Sequence, residues 1–366
     1  MRACVAMVVL GWWSIAAGKP LPDGTKVVLV KDQLFFVDHD VTVPLYAAGD
    51  RELMWTFDSV RSVKLSDDDK TIEIEGSICS YMMAKDAASA SFDAVRARVE
   101  NVRGMQLHLK KKYADAVAHF AAAVKLDPKT PVYATNLLSA QSMGKLLADA
   151  DQTLATAGPR AVAWFAWRLA VDSDLANLRG RASTRPFTSI ARTKLAADAL
   201  EGSVVAVSPA GFLALEQATS FGMTPASSQD LVIYDQHGAE QVRVPLIEFD
   251  DLCLDSCTKA QQAHTAEHRR AASELLGVLG FSTQHVRWVD VAGPGRVASP
   301  DKQVVVDVAD DKITITHGKA TSTVPVDGTV NRLGFAAGAI VIVARTSHGC
   351  GGTDNTWNDQ SVVAVP

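Results

Sequence analysis

The sequence predicts an α+β chain with an N-terminal small β-barrel or curled sheet, a central α-hairpin stack, and a C-terminal antiparallel β domain with a helical insertion. Three observations carry that prediction. Short β-branched and aromatic runs, broken by Asp, Gly and charged turns, fill the segment from Lys26 to Gly76. From about Ala84 to Leu200 the pattern turns Ala-rich and helical, and from Ser203 onward short strands return. The implied division is a leader at 1–18, a small β domain at 19–82, a helical domain at 84–200, and a β-rich domain at 201–366 with a helix at 258–280.

The leader is read from charge and apolar length. Arg2 supplies a positive start, Ala3 to Ala17 form an almost continuous apolar run, and Ser14-Ile15-Ala16-Ala17-Gly18 is a small-residue exit. These are the three parts of a secretory signal peptide, and the run is shorter than the ~20 residues that span a bilayer. An uncleaved N-terminal anchor is the alternative. No Cys follows the run, which argues against a lipid anchor. The expected location is exported, periplasmic or secreted, with no membrane insertion after signal cleavage.

Export makes the cysteines disulfide candidates. Cys4 leaves with the leader. Of the remaining four, closeness favours Cys253 with Cys257, which leaves Cys79 with Cys350; free buried thiols are the alternative.

In the first β region the expected strands are Lys26–Val30, Gln33–Val37, Val41–Tyr46, Leu53–Phe57, Val60–Leu65 and Thr71–Glu75. Thr71-Ile72-Glu73-Ile74-Glu75 alternates strictly, as a half-buried strand does. Asp38-His39-Asp40 and Asp67-Asp68-Asp69 fall at turns. Either run suits a cation, but Asp bonding to its own backbone explains them more simply.

In the helical region Gly104, Ala116, Phe120, Ala123 and Pro128 stand at the spacing Gly-x11-Ala-x3-Phe-x2-Ala-x4-Pro. Small Ala116 lets two helices approach, Phe120 and Ala123 fill their interface, and Pro128 turns the chain toward the next unit. Ala150, Leu154 and Ala157 follow Ala116, Phe120 and Ala123 at one constant interval. Over about residues 98–170 the segment resembles the tetratricopeptide repeat (TPR), a stack of helical hairpins. Glu100, Arg103, Leu107 and Leu138 depart from that pattern. Flanking helices around Ser91–Val99 and Ala161–Val171 are the expected caps. The second carries Trp164, Phe165 and Trp167, which read as core in preference to a ligand platform.

The resemblance implies a protein or peptide partner held in a concave groove. Gln106, His108, Asn136 and Ser139 are the groove or rim candidates. Met105 and Val132 do not suit a grip on a C-terminal carboxylate.

In the last region the expected strands are Val204–Val207, Phe212–Leu215, Leu231–Tyr234, Val242–Ile247, Arg287–Val291, Val304–Val308, Ile313–Thr316, Ser322–Val326, Ala339–Ala344 and Ser361–Val365. An internal echo runs through them. Ala210–Leu215 with Gln229–Tyr234 resembles Ala337–Ile342 with Gln360–Val365, as two propeller-type blades or two sandwich sheets would.

Two groups suggest chemistry. Cys253, Cys257, His264 and His268 form Cys-x3-Cys-x6-His-x3-His, donors that suit tetrahedral zinc provided the chain breaks between the pairs. A disulfide is the simpler reading of the two cysteines. His348 beside Cys350 invites a thiol-nucleophile reading, although the loop Ser347–Asn355 equally reads as a long glycine-rich turn. No Ser nucleophile elbow, phosphate-cradling glycine loop or His-Glu-x-x-His helix is present.

Composition bounds the remainder. The 366 residues are 48% hydrophobic and 21% charged with a formal net charge of −5, an ordinary globular balance. That charge gives no overall reason to bind nucleic acid or anionic lipid. Lys110-Lys111-Lys112 reads as an exposed helix face. The expected role is therefore an exported protein-binding or scaffold protein without a cofactor. The alternative is an extracytoplasmic metal-dependent hydrolase, with zinc, sited in the C-terminal β-rich domain.

Overall fold

A computed structural model describes residues 19–30, 33–45, 56–79, 84–190, 205–220, 227–235, 240–247, 258–281, 287–326, 328–336, 339–350 and 353–365. They form a mixed α+β chain of several small antiparallel sheets. The chain divides into two compact units, Met1–Thr153 with His348–Asp354, and Leu154–Ser347 with Asn355–Pro366. The expected leader at 1–18 lies outside the described residues.

In the first unit, β1 (Thr25–Val30), β2 (Gln33–Asp38) and β3 (Val41–Pro44) form one meander. A second is made by β4 (Thr56–Leu65), β5 (Thr71–Cys79) and β6 (Ala84–Ser91). Alternate residues point inward, as the two-residue strand period requires. Leu34, Phe36, Val41 and Val43 meet Ile72 and Ile74 in one core, closed by Phe92, Val95 and Val99 of helix α1 (Phe92–Leu109). Among the described residues each sheet is hydrogen-bonded only within itself, so the barrel expectation is corrected to two open sheets. Lys19 ties the start of the described chain to β4 through two backbone bonds with Leu65, 3.0 and 2.9 Å long.

Two boundaries differ from expectation. The strands expected at Leu53–Phe57 and Val60–Leu65 are, over their described part, one strand, β4, irregular near Phe57–Ser59 and Val60–Ser62. Ala84–Ser91, placed with the helices by its Ala content, is strand β6 because it pairs along β5, from Cys79↔Ala84 to Thr71↔Ser91. Ser91 then caps α1, its Oγ accepting from the Ala94 N–H at 3.3 Å.

The helices continue as α2 (Tyr113–Leu126), α3 (Pro131–Met143) and α4 (Leu147–Ala157). Asp127 organises the α2–α3 link, accepting from Thr130 Oγ1 at 2.7 Å and from the Lys129 N–H at 3.2 Å. Pro131 opens α3, where its missing N–H costs nothing.

The second unit takes in the end of α4 from Leu154 and continues with α5 (Val162–Val171), two short 3-10 turns and the single-turn α6 (Arg185–Thr188). Phe165 is its buried anchor, 5.9 Å from the ring of Phe187, whereas Trp164 and Trp167 are half-buried and edge-on to each other. Three four-stranded sheets follow. The first is β7 (Val205–Val207), β8 (Leu213–Ser220), β9 (Ser227–Tyr234) and β10 (Glu240–Ile247), with α7 (Lys259–Val278) packed along β10. The second joins β11 (Arg287–Asp290) to β16 (Thr329–Ala336), β17 (Ala339–Cys350) and β18 (Thr353–Ala364). The third is β12 (Gly295–Ala298), β13 (Val304–Val308), β14 (Lys312–His317) and β15 (Ala320–Pro325). β12 and β16 were not expected. β17 and β18 extend into the stretch expected as a glycine-rich turn.

The sheets stack face to face, and β17 lies in the middle layer. Its Ala339 and Val341 meet Leu213, Leu215, Val232 and Tyr234 of the first sheet. Its Ile340 and Ile342 meet Val306, Val308, Ile313 and Ile315 of the third. The echo has a physical meaning here. Leu213, Leu215, Val232 and Tyr234 correspond to Ile340, Ile342, Val363 and Val365, and each set faces the neighbouring sheet.

A second repetition is finer. Ser66, Ser208 and Ser299 each open the turn between the first two strands of a sheet. The N–H groups of Asp69, Gly211 and Lys302 donate to the carbonyls of these serines at 3.0, 2.9 and 2.8 Å. Each serine Oγ accepts from a later N–H, of Thr71, Phe212 and Val304, at 3.0, 3.1 and 3.0 Å. Asp68 and Asp301 accept from Ser66 and Ser299 at 2.6 and 2.5 Å. The acidic run at Asp67–Asp69 is thus used as a turn, the simpler of its two readings.

Candidate functional site

The helical segment is built around one close approach. A Cβ placed on Gly104 would stand 2.6 Å from the Phe120 ring, so α1 and α2 meet where α1 has no side chain. Ala116, Phe120 and Ala123 are fully buried there, as are Leu138 and Ala150 further along. Leu154 is buried and Ala157 half-buried. Leu138, which stands where the first repeat has Gly104, is fully buried.

The four groove candidates do not form one cluster. Gln106 is exposed. His108 packs its ring on Tyr113 and Phe120, with centroids 5.1 and 6.4 Å away. Asn136 donates from Nδ2 to Asn101 Oδ1 at 2.8 Å, and Ser139 is buried. Of the four, Gln106 is open to a partner.

Glu100 and Arg103, which break the apolar pattern of the first unit, belong to an ion-pair chain. Arg103 donates from Nη1 to Glu100 at 3.0 Å and reaches Asp38 from Nη2 at 3.1 Å. Glu100 also meets His119 Nδ1 at 2.7 Å, and Asp38 meets His39 Nδ1 at 2.6 Å. Burial works against the Arg103 charge, but Asp38 and Glu100 outweigh it and hold the guanidinium above its ordinary value. The chain pins the β2–β3 turn to α1 and α2. Arg98 adds a bond from Nη1 to the Pro44 carbonyl at 2.9 Å. The Glu100–Arg103 pair is a local i,i+3 contact, but the links to Asp38 and His119 join distant parts of the sequence and leave no sign in its spacing.

For the zinc candidates, His264 and His268 are neighbours on α7 with ring centroids 4.2 Å apart. Cys253 and Cys257 lie outside the described residues. α7 starts only at Lys259, where Thr258 and Gln261 form a capping box, so the required break falls between the two pairs. Among the described residues no three His, Cys, Asp or Glu side chains converge as a metal-holding group. The side chains of Cys79, His348 and Cys350 are outside the description, so the Cys79–Cys350 pairing and the thiol-nucleophile reading fall there as well. Among the described residues no helix is long and apolar enough to cross a membrane.

No family model, curated protein or solved structure matches the chain.

Proposed function

We propose that this chain is an exported protein-binding scaffold, in which a TPR-like helical segment engages a protein or peptide partner. One observation carries the reading. Two successive helical hairpins repeat in register, and their closing turns share the same pair of backbone hydrogen bonds. Repeats of this kind present extended helical surfaces, and extended surfaces suit polypeptide ligands. Exposed Gln106 on α1 marks the face of the first hairpin open to such a ligand.

Affinity capture from the compartment to which the protein is exported tests the proposal. The intact chain is compared with Gln106→Arg, which changes only an exposed side chain, and with Phe120→Ala, which breaks the hairpin interface. A partner retained by the intact chain and lost by both variants supports the reading. A partner retained equally by all three contradicts it.

A further inference from the structure

The turns joining α1 to α2 and α3 to α4 repeat each other bond for bond. In the first, the N–H of Lys111 donates to the His108 carbonyl at 2.8 Å and that of Lys112 to Leu107 at 2.9 Å. In the second, Lys145 donates to Ser142 at 3.1 Å and Leu146 to Gln141 at 2.8 Å. This bond pair closes a helix through one residue in the left-handed region. That residue is Lys111 at φ 59° and Lys145 at φ 60°. Helix α7 ends through the same bond pair, from Gly280 to Gly277 and from Phe281 to Leu276, but with glycine at φ 73°. Glycine adopts this conformation freely, and lysine does so against its own Cβ. Lys302 also holds φ 60°, in the turn opened by Ser299, so what sets Lys111 and Lys145 apart is that they recur at equivalent places in successive hairpins.

Their surroundings supply the rest. Leu109 is 76% exposed, Leu146 37% and Met143 36%, which makes three of the four exposed large hydrophobic residues among those described. Lys110, Lys111, Lys112 and Lys145 are all exposed beside them. The two turns adjoin, since a Cβ on Gly144 would stand 3.4 Å from Tyr113 Cβ. No carboxylate lies within 109–113 or 143–147; the first, Asp115 and Asp149, are the third residues of α2 and α4. The basic run expected on a helix face thus forms a turn, and it is joined by a fourth lysine from the next hairpin. A net charge of −5 over the whole chain conceals this local reversal.

We propose that the two turns form a peripheral docking surface for an anionic phospholipid membrane. Leu109, Met143 and Leu146 enter the boundary between headgroups and acyl chains, while the four lysines sit among the lipid phosphates. Charge complementarity selects this occupant, because the turns are cationic on a chain that is otherwise acidic. The exposed apolar side chains also stand at helix ends, which suits a fluid interface. Gln106 stands one turn before Lys110 on α1, so this surface adjoins the face assigned to the protein partner, and vesicle sedimentation and protein capture read the two apart.

Sedimentation of the full chain with vesicles of phosphatidylcholine, with and without phosphatidylglycerol, tests this. Binding is expected on the anionic vesicles only, falling as salt rises. Lys111→Ala and Lys145→Ala should each weaken it roughly fivefold, and Leu109→Ser with Leu146→Ser should abolish it. Lys111→Gly removes the charge while relieving the backbone, so weaker binding with an undiminished melting temperature excludes unfolding as the cause. Equal binding to neutral vesicles, no binding to either, or binding indifferent to the lysine variants overturns the proposal. So does retention of the chain on immobilised polyglutamate without vesicle binding, which would assign the turns to an acidic protein.

Discussion

Lys111 and Lys145 occupy the same place in successive hairpins and hold the same left-handed backbone, φ 59° and 60°. Each gives up the conformation that an L residue prefers, by about 1 kcal/mol. Lys111→Gly and Lys145→Gly should therefore each stabilise the helical unit by about 0.5–1 kcal/mol. Chemical denaturation measures this, and an unchanged or lower midpoint would show that the turns are not strained.

The Gly104–Phe120 contact predicts a coupling. Phe120→Ala should cost about 3–5 kcal/mol, because a fully buried ring leaves a cavity. Gly104→Ala should also destabilise, since its new Cβ meets that ring at 2.6 Å. In the double variant the clash partner is gone, so the combined loss should fall well short of additive. Additive losses would mean that the two residues do not meet.

Asp68 and Asp301 predict an acid limb in the stability profile. Hydrogen bonds from Ser66 and Ser299, then from the N–H groups of Lys70 and Gln303, hold both carboxyls below the ordinary aspartate value of about 3.9. A folded pKa below the unfolded one contributes stability above the unfolded value, and that stability is lost as pH falls through the folded pKa. NMR titration should place the Asp301 midpoint below that of a model peptide, and Ser299→Ala should move it back up. A midpoint already at the peptide value would remove the turn's role.

Arg103 predicts a double-mutant signal. Removing it leaves Asp38 and Glu100 without their shared cation. Because the pair is partly solvated, its coupling with Asp38 should be modest, about 1 kcal/mol. A cycle over Arg103→Met and Asp38→Asn measures it, and a zero coupling would mean that the β2–β3 turn is held by packing alone.

The parts of the fold legible in the sequence were those fixed by local sterics. Ala116, Phe120 and Ala123 follow from how closely α1 and α2 approach at Gly104, a constraint that local spacing can carry. Ile72 and Ile74 announced β5 by alternation. Other features depended on distant partners. Ala84–Ser91 looks helical by composition and becomes a strand because β5 offers it a hydrogen-bonded edge. Glu100 and Arg103 read as defects in a repeat until Asp38 is brought against them. The lysine run read as a solvated helix face because φ at Lys111 is invisible in one dimension. Of the groove candidates, Asn136 and His108 are polar residues used internally, which their spacing did not reveal.

The central claim is that the first helical hairpin receives a protein partner. Its most direct test places a photo-crosslinking side chain at exposed Gln106 on α1, with the same group at exposed Thr321 on β15 as the control. After export, the account predicts one discrete adduct at Gln106, absent at Thr321 and abolished by Phe120→Ala. Adducts at Thr321 alone, or none at either position, would contradict it.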